Sequence, residues 1–74
     1  VCGALANFNV NLRVAPSLDA QVLAVIPYQS VVQLGGRAER TNWWLAFYQS
    51  QWGWIDGDYL VLDTVCAQAP IVTP

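Results

Sequence analysis

Four tryptophans, Trp43, Trp44, Trp52 and Trp54, crowd into one short stretch of this 74-residue chain. Their chemistry is recognition. An exposed Trp or Tyr is large, rigid and partly polar, which suits the binding of peptide or sugar. Groups for bond-breaking are scarce. The carboxylates are Asp19, Glu39, Asp56, Asp58 and Asp63. General acid–base work needs two carboxylates facing each other with separated pKa values. Asp56 and Asp58 instead flank Gly57, where Asp suits a turn, although either could attract the amino group of a peptide. One such pair without a longer acidic loop makes no calcium site. A nucleophile needs an adjacent base, and the chain has neither His nor Lys. It carries no phosphate loop, dinucleotide fingerprint or metalloprotease motif. The reading is therefore no enzyme, no cofactor and no metal.

The two cysteines stand far apart, at Cys2 and Cys66. Metal binding and redox exchange both favour close CxxC spacing, so the pair reads best as one disulfide, with two buried thiols as the alternative. A disulfide persists in oxidising compartments, which predicts an extracellular or cell-surface protein. A small domain has a marginal core and gains from such a staple.

Charged residues make up 11% of the chain and hydrophobic ones 55%, against about 25% charged in an average soluble domain. This excludes a disordered chain; the apolar excess reads either as surface covered in the full-length protein or as the apolar exposure that any small β domain must carry. The net charge is −2, with Arg13, Arg37 and Arg40 as the only cations. Nucleic acid and anionic membrane surfaces both require clustered positive charge, so neither is a partner. The apolar run from Val22 to Ile26 is too short to span a bilayer. The chain opens on Val1 rather than Met, as expected of a mature product or an excised fragment.

Short apolar runs broken by Gly, Pro, Asn, Asp and Ser predict an all-β fold. Leu5 to Leu12 reads as one half-buried strand, with Phe8, Val10 and Leu12 alternating with asparagines. Val22–Ile26, Ser30–Leu34, Trp43–Tyr48, Trp52–Ile55 and Leu60–Leu62 follow as strands. Gly35-Gly36 reads as a strand break, and Asp56–Tyr59 as a tight 3₁₀ turn. With so few residues a small closed barrel is favoured, because closure removes exposed edges. Leu5 and Leu62 must then lie close together, which is the geometry a Cys2–Cys66 bond requires. Residues 1–66 form the expected domain. Residues 67–74 read as an extended linker or tail, with a further domain expected beyond.

Such a barrel cannot hold every indole. Trp43 and Trp44 must point to opposite faces of one strand, while Trp52 and Trp54 share a face of the next. Small Ala46 leaves room for Trp44 inside, so Trp43 is the expected exposed member. Tyr28 and Tyr48 are candidates to stand beside the exposed tryptophans. The competing role for these aromatics is packing against an adjoining domain. The Arg13 stem is expected to cover apolar surface while its head bonds loop carbonyls.

Three segments in order, Asn11–Ser17 (NLRVAPS) with Gln21–Pro27 (QVLAVIP), Asn42–Tyr48 (NWWLAFY) and Trp52–Leu60 (WGWIDGDYL), resemble the bacterial SH3-like domain. The resemblance spans about Ala6 to Leu62. It departs at Ala15, where the family commonly has Gly, at Gln29, where a Gly usually follows the second-strand proline, and at Ala46, where Val is usual. The resemblance implies an SH3-like barrel of five to six short antiparallel strands. It also implies a non-catalytic module of an exported protein, whose ligand, where known in the family, is often peptidoglycan or its peptide bridges. Trp43-Trp44-Leu45-Ala46 and Gly53–Leu60 further resemble eukaryotic SH3 domains, which read proline-rich peptides; that likeness nominates Trp43 and Tyr59 as groove residues. The eukaryotic Ala-Leu-Tyr-Asp-Tyr segment is missing, however, and Asp56 occupies the place of a groove proline.

The functional expectation is a module binding cell-wall peptide or another protein ligand through Trp43, Trp52, Tyr28, Tyr48 and Tyr59, with Asp56 and Asp58 nearby. The alternatives are a spacer packing against adjacent domains of the parent protein, or a proline-rich peptide reader.

Overall fold

Strand alternation decides which side chains reach the interior of a sheet, and here it sets nearly the whole architecture. The computed structural model describes residues 2–74; Val1, where the expected domain begins, lies outside the described residues. Among these, seven strands form: β1 (Cys2–Ala6), β2 (Val10–Arg13), β3 (Val22–Ile26), β4 (Val31–Arg37), β5 (Trp43–Tyr48), β6 (Gln51–Asp56) and β7 (Leu60–Leu62). Short 3₁₀ turns occupy Gly57–Tyr59 and Thr64–Gln68. The strands pair antiparallel in the order β3-β2-β6-β5-β4-β1-β7.

The sheet is rolled. Ile26 of β3 and Ala6 of β1 lie on the first and sixth strands of that order, yet both belong to one buried cluster with Leu12, Leu34, Trp44 and Ile55. Main-chain bonds carry the β1–β4 pairing one step past Leu5 and Val31. The Ala6 N–H donates to the Ser30 carbonyl at 2.9 Å, and the Gln29 N–H donates to the Ala6 carbonyl at 2.7 Å. The β2–β6 seam rests on a single register pair, Arg13 with Trp54. At that seam Gly53 admits the crossing strand: a Cβ there would lie 2.6 Å from Leu12 Cγ and 2.9 Å from the Arg13 carbonyl oxygen.

Two expectations need correction. The run Leu5–Leu12 is not one strand but β1 and β2, parted at residues 7–9. Ala6 and Val10 both point inward, and the chain turns a corner between them, changing strand neighbours. Phe8 is thrown to the outside at 53% exposure and rests edge-on against Tyr59. Nor do Gly35 and Gly36 end their strand. β4 runs through them with a bulge against β5, as an extra residue in one strand produces. What the missing side chains provide is room. The Trp52 ring lies over Gly35, and Pro70 and Val72 press on Gly36.

The C-terminal segment is extended and lies along β4. Arg37 N–H donates to the Pro70 carbonyl at 2.9 Å, and Val72 N–H donates to the Arg37 carbonyl at 2.8 Å. In the turn after Pro27, Gln29 holds a φ of 69°, a left-handed conformation that costs an L-residue about 1–2 kcal/mol. Gln49 and Ser50, at φ of 50° and 65°, give the β5–β6 hairpin the two left-handed residues of a type I′ turn.

Cys2 and Cys66 form the disulfide, with Cα atoms 5.2 Å apart, and both are buried against the core. The bond ties β1 to the second 3₁₀ turn, which Asp63 caps by accepting the Val65 N–H. For cysteines separated by 64 residues, the chain-entropy estimate gives about 4 kcal/mol of stabilisation. The C2A/C66A double variant is therefore expected to lose about that much in urea unfolding. A midpoint close to that of the parent would show that the strand contacts suffice alone.

Candidate binding cleft

The cleft is built from what the interior leaves out. β2 sends Val10 and Leu12 inward, so Asn11 and Arg13 face outward. Trp44 and Ile55 take the interior positions of β5 and β6, which puts their strand neighbours Trp43 and Asp56 outside. Those two are direct cross-strand partners, the arrangement that brings Cβ atoms within about 5.5 Å. Phe8 from the β1–β2 corner and Tyr59 from the first 3₁₀ turn form another wall, with ring centroids 5.6 Å apart and planes at 84°. Leu18 from the β2–β3 loop and Asn9 complete a cavity of about 330 Å³.

Arg13 fixes the loop that carries Leu18. Its Nη1 donates to the Leu18 carbonyl at 2.9 Å and to the Ala20 carbonyl at 3.0 Å, the loop contact expected from the sequence. Its register partner Trp54 is buried at 5% exposure but stands apart from the interior cluster. A second indole is thus sheltered outside the barrel, next to the Arg13 stem.

Asn42 organises the opposite rim. Its Oδ1 accepts the Trp44 indole N–H at 3.0 Å and its Nδ2 donates to Asp58 Oδ1 at 2.9 Å. Its carbonyl also accepts the Gly57 N–H at 2.7 Å. Asp56 caps the 3₁₀ turn, its Oδ1 accepting the Asp58 N–H at 3.0 Å. One asparagine thereby links the interior indole to the turn bearing Asp56 and Tyr59.

Of the residues singled out in the sequence, Trp43, Asp56 and Tyr59 come together in this cleft. The others stand elsewhere. Trp52 is exposed on the outer face, its ring 5.0 Å from Phe47. Tyr28 is exposed in the β3–β4 turn, its N–H held by Asn9 Oδ1 at 2.9 Å. Tyr48 packs against the core. Asp58 is exposed and engaged by Asn42. Sequence reasoning missed Phe8, Asn9, Asn11 and Leu18 as cleft residues. The asparagines carried a usable signal, since they alternate with inward-facing Val10 and Leu12. Phe8 and Leu18 carried none, because their placement depends on a corner and a loop.

The lining residues include no Ser, Thr, Cys or His, so the cleft offers no nucleophile paired with a base. Among the described residues, no three His, Cys, Asp or Glu side chains are grouped to hold a metal ion. What the cleft offers is aromatic surface, two amides, one carboxylate and one guanidinium, a set for holding a ligand.

Asn42→Ala removes the acceptor of a buried indole N–H and loosens the turn. An unsatisfied buried donor costs about 1–3 kcal/mol, so thermal or urea unfolding should register a loss in that range. Asn42→Asp keeps the indole acceptor but sets a carboxylate beside Asp58, and should recover part of the loss at low pH. Equal stability of parent and Asn42→Ala would mean that the bond contributes nothing.

No curated protein matches the chain. The family model for the bacterial SH3 domain matches residues 9–61, a span that runs from the first cleft asparagine into β7 and takes in Trp43, Asp56 and Tyr59. With its rolled antiparallel sheet, the chain belongs to the bacterial SH3 domain family, a family of binding modules.

Proposed function

We propose that this chain is a non-catalytic extracellular module that holds an extended peptide, a peptidoglycan stem or bridge peptide, in the cleft between the β2–β3 loop and the first 3₁₀ turn. The observation that carries the reading is the convergence of Trp43, Tyr59 and Phe8 with Asp56 and the Asn9 and Asn11 amides in one cavity. Aromatic anchors fixed by neighbouring strands bind at low entropic cost, and outward amides can satisfy a peptide backbone. The buried disulfide supports an oxidising compartment. No helix among the described residues is long and apolar enough to cross a membrane. A proline-rich ligand is less well supported, because Asp56 lines the cleft and an apolar proline ring would strip water from its carboxylate without replacing the lost bonds.

Soluble muropeptides titrated into the domain should shift the amide resonances of the cleft. Trp43→Ala and Tyr59→Ala should each weaken binding about tenfold or more, the range of an aromatic anchor. If muropeptides leave the spectrum unchanged and intact sacculi fail to retain the domain, the reading is wrong.

A second role, packing against a neighbouring domain, is favoured by the outer face of β6-β5-β4-β1-β7. There Val61, Leu5 and Val31 form one cross-strand row, and Trp52, Phe47 and Gln33 form the next. All five apolar members are exposed, Val31 at 77%, and no charged residue interrupts either row. Contiguous apolar surface of this kind marks interaction sites. Trp52→Ser should reduce self-association of the isolated domain in sedimentation and leave muropeptide affinity intact. A tenfold loss of muropeptide affinity in that variant would move the ligand site to this face.

A further inference from the structure

The cleft holds two charged groups of unequal freedom. Arg13 spends Nη1 on two loop carbonyls. Asp56 spends only Oδ1, on the Asp58 N–H, and among the described residues no hydrogen bond reaches its Oδ2. This carboxylate is half-buried already, and it sits directly across from Trp43. A ligand that covers it must supply a donor, because a carboxylate stripped of water without a partner is strongly unfavourable. A neutral N–H would meet that need in part. A cation meets it better, since a charge held at Oδ2 also lies beside the Trp43 ring, whose face attracts cations within about 6 Å. The Phe8–Tyr59 pair lines the cavity on another side.

We propose that the cleft selects peptides by a primary amine, an α-amino group or a side-chain ammonium, bound between Asp56 Oδ2 and the indole of Trp43. This specificity rests on the peptide-binding role assigned to the cleft above. Within that role it identifies the ligand end that enters: a free, positively charged amine, with the rest of the chain running towards Asn9, Asn11 and Arg13. It also gives Asp56 two separable duties, Oδ1 as the cap of the 3₁₀ turn and Oδ2 as the ligand acceptor.

That separation makes the site testable. Asp56→Asn retains an oxygen able to cap the turn, since Asn caps as well as Asp, but removes the charge. Soluble muropeptides and the same muropeptides acetylated at their free amines are titrated into parent and Asp56→Asn protein, with thermal unfolding as the check on folding. The parent should bind the free-amine form about tenfold or more tightly than the acetylated form, the range of a hydrogen bond to a charged group. Asp56→Asn should unfold near the parent temperature and bind both forms with the weaker affinity. Equal affinity of the parent for the two forms would overturn the amine site while leaving the peptide-binding role in place. So would undiminished discrimination in Asp56→Asn. Binding of neither form would remove the peptide-binding role, and the amine site with it.

Discussion

Interior volume is the constraint from which the rest follows. The rolled sheet closes around Leu12, Ile26, Leu34 and Ile55, and Trp44 is the one indole in that cluster. Interiors pack at crystal-like density, so a second indole has no place there without expelling several aliphatic side chains. Ala46 and Gly53 are the complement of this arrangement. Both lie at inward positions of β5 and β6 and are small, Ala46 fully buried beside Trp44's strand position. Once Trp44 is inside, alternation forces Trp43 out on one strand and Trp52 and Trp54 out on the next. The three outer indoles meet three fates. Trp54 is covered, Trp43 borders a cleft, and Trp52 lies open across Gly35.

Much of this was legible before any coordinates. Val22–Ile26, Trp43–Tyr48 and Leu60–Leu62 coincide with observed strands, because each is a β-rich run bounded on at least one side by Pro, Asn or Asp. That Trp44 rather than Trp43 turns inward was readable from Ala46, although Trp43 ends half-buried rather than fully exposed. What escaped was tertiary in origin. The break at residues 7–9 has no local signature, since the Asn–Phe–Asn–Val alternation is what a continuous strand would show. The passage of β4 through Gly35 and Gly36 depends on the bulky neighbours that press on both glycines, and these lie far away in sequence. The cleft was half legible for the same reason. Trp43, Asp56 and Tyr59 belong to contiguous, patterned segments, whereas Phe8 and Leu18 arrive through a corner and a pinned loop.

The charged residues are sorted by position as well as scarce. Arg13 holds a loop, Asp56 and Asp63 cap 3₁₀ turns, and Asp58 answers Asn42. Arg37 donates through Nη1 to the Thr41 carbonyl in the β4–β5 loop at 2.8 Å. Each of these side chains is committed to backbone or turn geometry at an end of the rolled sheet, and the outer face between the ends carries none. A small β domain with uncharged outer rows and an uncharged β3 at the sheet edge lacks the usual protection against association. The apolar face and the polar-edged cleft are thus chemically distinct surfaces of one small domain.

Stability and recognition are also coupled through Asn42. The residue satisfies the interior indole with one atom, receives the Gly57 amide with another and steadies Asp58 with a third. The turn that carries Asp56 and Tyr59 is thus referenced to the core through Asn42 as well as through the β5–β6 pairing that ends at Trp43 and Asp56. A site on so small a scaffold has few neighbours to fix its geometry, and here the fixing group is bonded to the largest side chain of the core. Any rearrangement of Trp44 inside the barrel must move the Asn42 amide, and with it the rim of the cleft. The position of the Asp56 carboxylate is therefore tied to core packing, with the interior indole of Trp44 as a reference point for the cleft as well as for the fold.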